Sequence, residues 1–121
     1  MQVYLAHATS FDYQQELYAP LQQLSIPQVK LIFPHLQTAQ PIHSKQLIAA
    51  SHLILAEVTY PSTGMGIELG WAEQLVKPIY ALYREGCTYS SSLKLITTAI
   101  YSYQDVQQLC AIVREICENS I

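Results

Sequence analysis

The sequence predicts an α/β protein in which a parallel sheet lies between two layers of helices. Three observations lead to this prediction: a length of 121 residues, a hydrophobic share of 50%, and the alternation of short apolar runs with helix-like segments. The length suits one domain, and the composition supplies a buried core and argues against disorder. Strands that alternate with helices are joined by right-handed crossovers, which make the strands parallel. We therefore treat residues 1–121 as a single domain.

The predicted strands are short apolar runs, rich in aliphatic and aromatic residues, of the kind that forms buried strands. They span residues 3–6, 29–33, 52–57, 78–83 and 100–103. Pro34 closes the second of them. In parallel sheets, ligands bind beyond the carboxyl ends of the strands. The chemistry is therefore expected just after Ala6, Phe33, Glu57 and Tyr83.

The helices are predicted between the strands and at the carboxyl terminus. They span residues 13–24, 44–50, 64–76 and 90–98, with a terminal helix that begins after residue 105. Asp12, Ser44 and Asp105 are suited to cap the helices that follow them, and Pro20 should kink or split the first helix. The apolar stripe of the terminal helix comprises Val106, Leu109, Val113 and Ile116.

Charge and composition exclude several functional classes. The formal charge is −3 and the 6 Lys and Arg residues are scattered, which is atypical of a nucleic-acid-binding surface. No apolar run is long enough to span a bilayer, and the amino terminus lacks a basic signal-peptide region. The cysteines (Cys87, Cys110 and Cys117) show no metal-ligand spacing and are interpreted as core packing in a reducing compartment. We expect a cytoplasmic protein that needs no metal and no organic cofactor.

A glycine-rich segment follows the third predicted strand. Gly64, Gly66 and Gly70 lie within seven residues of one another. Glycine suits a backbone with positive φ or the close approach of a ligand, and a glycine-rich turn entering a helix can direct N–H groups at an anion. Ser62 adds a hydroxyl donor. A plain strand-to-helix turn, with Gly70 allowing close helix packing, explains the same residues.

Glu68 is the candidate reactive group. It falls in the first turn of the helix predicted from residue 64, where the helix dipole stabilises a carboxylate. A carboxylate at the ligand-binding edge of a sheet is suited to attack an oxocarbenium-like sugar carbon. It is also suited to a simple helix start, and spacing alone does not decide between the two. Glu57 could be a second carboxylate beside it, although backbone donors at a strand end would equally hold such a residue.

Residues 55–72 (LAEVTYPSTGMGIELGWA) closely resemble the signature of the nucleoside 2-deoxyribosyltransferase superfamily. The likeness is greatest to the branch of nucleoside 5'-monophosphate N-glycosidases, and it continues through residues 3–5 and 77–84. It implies a Rossmann-like or flavodoxin-like three-layer sandwich with strand order 2-1-3-4-5. It also implies an assembly of at least two subunits and a small nucleoside or nucleotide as ligand.

The resemblance assigns roles to individual residues. Glu68 corresponds to the nucleophile, and Tyr4 to a tyrosine that supports it. Ser62, with the glycines Gly64 and Gly66, corresponds to the 5'-phosphate site. Ser92 corresponds to a serine that reaches the phosphate of the neighbouring subunit.

The chain departs from the family pattern at two places. His43 and Ser44 stand where relatives carry an Asp that assists the leaving base, and the run from His7 to Ser10 stands where phosphate-specific relatives have an Arg. His7, His35 or His43 could supply the proton instead, because imidazole titrates near neutral pH. A surface or packing role is open for each of them. We include His7 and His43 among the candidate substrate-binding residues.

Three functions fit these observations. The first is hydrolysis of the N-glycosidic bond of a (deoxy)nucleoside 5'-monophosphate through a glycosyl-enzyme on Glu68. The second is deoxyribosyl transfer, in which an incoming base takes the place of water. The third is a nucleotide-binding module without turnover, which the missing Asp and Arg would explain.

Overall fold

The computed structural model describes residues 1–121, which form one five-stranded, all-parallel sheet. The strands are β1 (Gln2–His7), β2 (Lys30–Ile32), β3 (Leu53–Glu57), β4 (Ile79–Arg84) and β5 (Ile100–Tyr103). Their order is β2-β1-β3-β4-β5. The predicted α/β class, sheet and strand order are confirmed. The point at which the strand order reverses lies between β1 and β3, and folds of this kind bind ligands at that point.

Side-chain alternation along the buried strands divides the core into two halves. On β1, Val3 and Leu5 join the half that is covered by the first and last helices. Tyr4 and Ala6 point to the opposite half, which the two middle helices cover. Both halves are apolar because helices cover both faces of a parallel sheet. The side chain of Tyr4 therefore lies on the same face of the sheet as the glycine-rich helix that follows β3.

The helical elements lie near their predicted positions. A π-helical turn (Gln14–Tyr18) precedes α1 (Ala19–Gln22), followed by α2 (Lys45–Ala49), α3 (Thr63–Gln74), a 3₁₀ turn (Ser91–Leu95) and α4 (Val106–Asn119). The first helix is split, as Pro20 predicted. Asp105 caps α4 by accepting a hydrogen bond from the Gln108 N–H at 2.8 Å. No helix combines the length and the apolar character needed to cross a membrane.

Three local predictions are wrong. Ser44 occupies the cap position of α2, but its side chain makes no capping hydrogen bond, because the hydroxyl is engaged elsewhere. Val106 is 49% exposed, so the buried stripe of α4 consists of Leu109, Val113 and Ile116. Cys87 is exposed and is not a core residue.

Val76 follows the carboxyl-terminal end of α3 in a conformation that a β-branched residue rarely adopts. Its φ is 57°, and its side chain is 87% exposed, so few packing contacts offset the steric strain of this conformation. We expect Val76→Gly to raise the free energy of unfolding by about 1 kcal/mol, since glycine suits the left-handed helix terminus. Urea unfolding measures the change. Val106→Gly, at an exposed helical valine, should give no gain, and a less stable Val76→Gly would contradict the explanation.

Candidate functional site

Glu68 lies on the wall of a cavity near the carboxyl ends of β1 and β3. The cavity has a volume of about 320 Å³. Its polar lining comprises His7, Thr9, His35, Ser44, Ser62 and Glu68, and Trp71 and Ile42 are among its apolar residues. Glu68 is half-buried, on the second turn of α3. The predicted first-turn position, and the dipole argument based on it, are therefore wrong, because α3 begins at Thr63.

Two hydroxyl groups hold one oxygen of Glu68. Tyr4 on β1 donates to Glu68 Oε2 at 2.5 Å, and the Ser44 hydroxyl donates to the same oxygen. Glu68 Oε1 has no hydrogen-bond partner in the chain. Burial and the neighbouring carboxylate raise the pKa of Tyr4 far above its ordinary value, so Tyr4 remains a neutral donor. The carboxylate is thus fixed through one oxygen and keeps the other one free.

The amino terminus of α3 lies between this cavity and a larger one. Ser62 caps the helix by accepting a hydrogen bond from the Met65 N–H at 3.1 Å, and the first N–H groups of any helix lack an intrahelical acceptor. Gly64, Gly66 and Gly70 lie inside the helix without positive φ, which only Gly86 has among the glycines. A Cβ atom at Gly66 or Gly70 would meet nothing within 4 Å. The turn and close-packing interpretations of these glycines are therefore wrong, and the space beside them is open.

The larger cavity has a volume of about 710 Å³ and no charged side chain in its lining. Ser62 and Met65 belong to the linings of both cavities, whereas Ser92 belongs only to the larger one. Ser62 and Ser92 of the same chain therefore line one cavity. Glu68 does not line it.

His7 lines the Glu68 cavity, but the chain engages both of its ring nitrogens. His7 Nδ1 donates to the Ala8 carbonyl oxygen at 2.7 Å, which leaves Nε2 to accept from the Tyr18 hydroxyl at 2.6 Å. The Tyr18 oxygen in turn accepts from the His35 N–H at 2.8 Å. Burial lowers the pKa of His7 to about 4. His7 is therefore neutral at neutral pH and has no proton to give at Nε2.

His35 is the histidine of this cavity that has a free ring nitrogen. Its Nδ1 donates to the Thr38 carbonyl oxygen at 2.9 Å, and its own carbonyl oxygen accepts from the Tyr13 hydroxyl at 3.1 Å. His35 Nε2 has no partner in the chain. Because no fully buried side-chain nitrogen or oxygen lacks a partner, this nitrogen contacts solvent. His35 thus presents a fixed ring with one open nitrogen.

His43 lies outside the lining of both cavities. It is exposed, and its ring is stacked on Trp71 with the ring centroids 6.4 Å apart. Trp71 itself lines the Glu68 cavity. The structure therefore places His43 beside Trp71 and not in the lining of the cavity.

Glu57 is a structural carboxylate at the end of β3. It is 1% exposed and accepts hydrogen bonds from the Thr59 N–H at 2.6 Å, from the Thr59 hydroxyl at 2.9 Å and from the Tyr103 hydroxyl. Burial raises its pKa. Glu57 lines neither cavity, so the backbone-held interpretation describes it better than a second reactive carboxylate.

The contact of Ser44 with Glu68 and the open nitrogen of His35 are the features that the sequence did not predict. Ser44 was assigned to a helix cap because its local sequence suits one, and its contact with Glu68 spans 24 residues. His35 could be placed at the end of the second strand, but its hydrogen bonds depend on Thr38, Tyr13 and Tyr18. No group of three or more His, Cys, Asp or Glu residues is placed to hold a metal ion.

The fold and the position of the cavity define the general class: an open, doubly wound α/β protein with a cavity at the point where the strand order reverses, which is where such folds bind ligands. No protein-family model matches the chain, and no curated protein matches it. Among solved structures, the CMP N-glycosidase BcmB of Clostridium botulinum is similar, with a TM-score of 0.65 and 22% sequence identity. The match covers 93% of this chain and 98% of that chain. The likeness is one of fold, and it confirms the fold that the resemblance of residues 55–72 implied.

Proposed function

We propose that the protein hydrolyses the N-glycosidic bond of a (deoxy)nucleoside 5'-monophosphate, releasing the free base and a sugar 5-phosphate. The observation that carries this proposal is the contact of Tyr4 with Glu68 on the wall of an open cavity. The resemblance of residues 55–72 to nucleotide N-glycosidases and the fold shared with a CMP N-glycosidase support it. A carboxylate with one fixed and one free oxygen suits nucleophilic attack on a sugar carbon.

The sugar would lie against Glu68, with C1' facing the free oxygen Oε1. Trp71 offers an apolar, aromatic wall for a base. The 5'-phosphate would lie at the amino terminus of α3, where Ser62 and unpaired N–H groups favour an anion. The cavity of about 320 Å³ falls in the size range of small-molecule sites.

His35 would assist the departing base. In the first half of the reaction, Glu68 Oε1 bonds to C1' and the electron pair of the C1'–N bond leaves with the base. His35 Nε2, when protonated, gives the base its proton, while the Thr38 carbonyl keeps Nδ1–H in place. Proton transfer from a positioned imidazole suits this step. His35 would thereby replace the Asp that the family carries.

The proposal is tested by incubating the protein with a panel of nucleoside 5'-monophosphates and the corresponding nucleosides. Chromatography follows the free base. We expect base release from at least one monophosphate, and slower release from its nucleoside, because the phosphate contacts are then lost. Adding a second free base separates hydrolysis from transfer, since transfer forms a new nucleoside. No base release from any nucleotide would reject the proposal, and binding without release would favour a non-catalytic module.

His35→Asn tests the leaving-base assignment. Asn keeps a donor near the position of Nδ1 and removes Nε2, so we expect kcat to fall about a hundredfold, within the range for a lost general acid. The loss should shrink for substrates whose base departs readily without protonation. His52→Gln, at an exposed histidine, is the control and should leave kcat unchanged. Equal losses for all leaving groups would contradict the assignment.

The assembly and location complete the proposal. We propose a homodimer or larger homo-oligomer in the cytoplasm, in which Ser92 contacts the phosphate bound to a neighbouring subunit. Ser92 and Ser62 line the same cavity within one chain, and that cavity opens beside the amino terminus of α3. A phosphate near Ser62 would therefore lie close to Ser92 of the same chain. Whether Ser92 acts on the phosphate of its own chain or on that of a neighbouring subunit is decided by mixing variant chains. Mixing Glu68→Ala with Ser92→Ala chains restores activity only when the two residues act across subunits.

A further inference from the structure

The Ser44 hydroxyl is used for Glu68 and not for its own helix. A serine in the cap position, just before the first residue of a helix, normally accepts a hydrogen bond from the helix backbone. At α2 this bond is absent, although Ser44 is in the cap position and is 1% exposed. Its hydroxyl instead donates to Glu68 Oε2. Loss of a helix cap in favour of a distant carboxylate is typical of a functional residue.

Tyr4 and Ser44 meet at the same oxygen, which makes the carboxylate asymmetric. Both donate to Oε2, and Oε1 receives no donor from the chain. Negative charge on Oε2 is therefore stabilised by two buried hydroxyl groups. An ester formed through Oε1 would turn Oε2 into a carbonyl oxygen with less negative charge, and both hydrogen bonds would weaken.

We infer that Ser44, acting with Tyr4, is a positioning residue that makes Glu68 a better leaving group when the glycosyl-enzyme is hydrolysed. The inference rests on the proposed function. In this second half of the reaction, the water oxygen bonds to C1' and the electron pair of the C1'–Oε1 bond returns to Glu68. The proton of the water passes to His35 Nε2, which lost its own proton to the base. Charge reappears on the carboxylate, and the two hydroxyl groups stabilise it as it forms.

Ser44→Ala should therefore slow hydrolysis of the intermediate more than its formation. We expect the second half-reaction to slow about tenfold or more, as for the loss of a hydrogen bond to a charged group. Base should then appear in a burst close to the enzyme concentration. Mass spectrometry of acid-quenched protein should show a larger fraction of chains carrying a sugar phosphate than in the wild type.

Two further variants separate this role from a structural one. Ser44→Thr keeps a hydroxyl, so its burst amplitude and adduct fraction should equal those of the wild type. Ser51→Ala removes the hydroxyl of another serine that is 1% exposed, and it should also leave both quantities at the wild-type level. If the wild type releases base but Ser44→Ala accumulates no extra adduct, the inference is wrong and the proposed function stands. If the wild type releases no base, both are wrong.

Discussion

Glu68→Gln is expected to reduce base release by about a thousandfold or more, because a neutral amide cannot act as the nucleophile. Glutamine has nearly the shape of glutamate, so the wall of the cavity should keep its form. Its amide oxygen can still accept from Tyr4 and Ser44, and binding of the nucleotide should largely persist. The loss should therefore fall on kcat, with a small change in KM. Steady-state kinetics by chromatography of the released base measures both.

Glu73→Gln is the matched control for this substitution. Glu73 lies on the same helix, α3, and is exposed, so the same chemical change away from the cavity should leave kcat unchanged. Circular dichroism should show that both variants are folded. A Glu68→Gln variant with activity close to that of the wild type would remove Glu68 from the mechanism.

Acidification is expected to destabilise the protein through His7. The pKa of His7 in the folded chain is about 4, below the ordinary value of about 6.5. Between these values the unfolded chain binds a proton that the folded chain does not, so the free energy of unfolding falls as the pH falls. The stabilisation is fully present above pH 6.5, and about 3 kcal/mol of it is lost by pH 4.

His7→Gln isolates this contribution. Gln does not titrate, and its side-chain oxygen can accept from Tyr18 where Nε2 does in the wild type. Urea unfolding of both proteins between pH 7 and pH 4.5 gives the difference between their free energies of unfolding. The contributions of titratable groups that both proteins share cancel in this difference. Glu57, whose pKa is raised by burial, acts in the opposite direction in both proteins. The advantage of the wild type should shrink with acidification, and a difference independent of pH would contradict the account.

His52→Gln supplies the control for the pH dependence. His52 is exposed, and its Nδ1 accepts only from the Gln2 N–H at 3.0 Å. We expect the stability difference from the same substitution there to change less with pH than that from His7→Gln, because His52 is not buried. A slope as large as that of His7→Gln would assign the effect to histidine content and not to the buried ring.

The sheet was predictable because its signal is local and repeated. Each strand is a short apolar run, and a parallel sheet that is covered on both faces requires such runs. The split of the first helix followed from the fixed φ of Pro20 and its missing N–H. Helix ends were less predictable, as α3 shows: it starts at Thr63 and ends before Val76. That shift moved Glu68 from the expected first turn to the second.

The candidate site was predictable in part. Glu68 and Tyr4 were selected by the motif and by the family that it resembles. The structure places the Tyr4 hydroxyl oxygen 2.5 Å from Glu68 Oε2. Ser44 was misassigned because a serine before a helix has the same local pattern whether its hydroxyl caps that helix or contacts another element. Both ring nitrogens of His7 are engaged because Tyr18 donates to Nε2. His35 keeps Nε2 open because its ring is held by Thr38 through Nδ1 alone. Such contacts are set by tertiary packing and leave no periodic pattern in the sequence.

The most direct test of the central role of Glu68 is peptide mapping of the protein after rapid acid quench with a reactive nucleoside 5'-monophosphate. We predict that one peptide gains the mass of a sugar phosphate less water, and that fragmentation places the gain on Glu68. The gain should be absent from Glu68→Gln. Base release that proceeds with the adduct on another residue, or with no adduct in either the wild type or Ser44→Ala, would contradict this account.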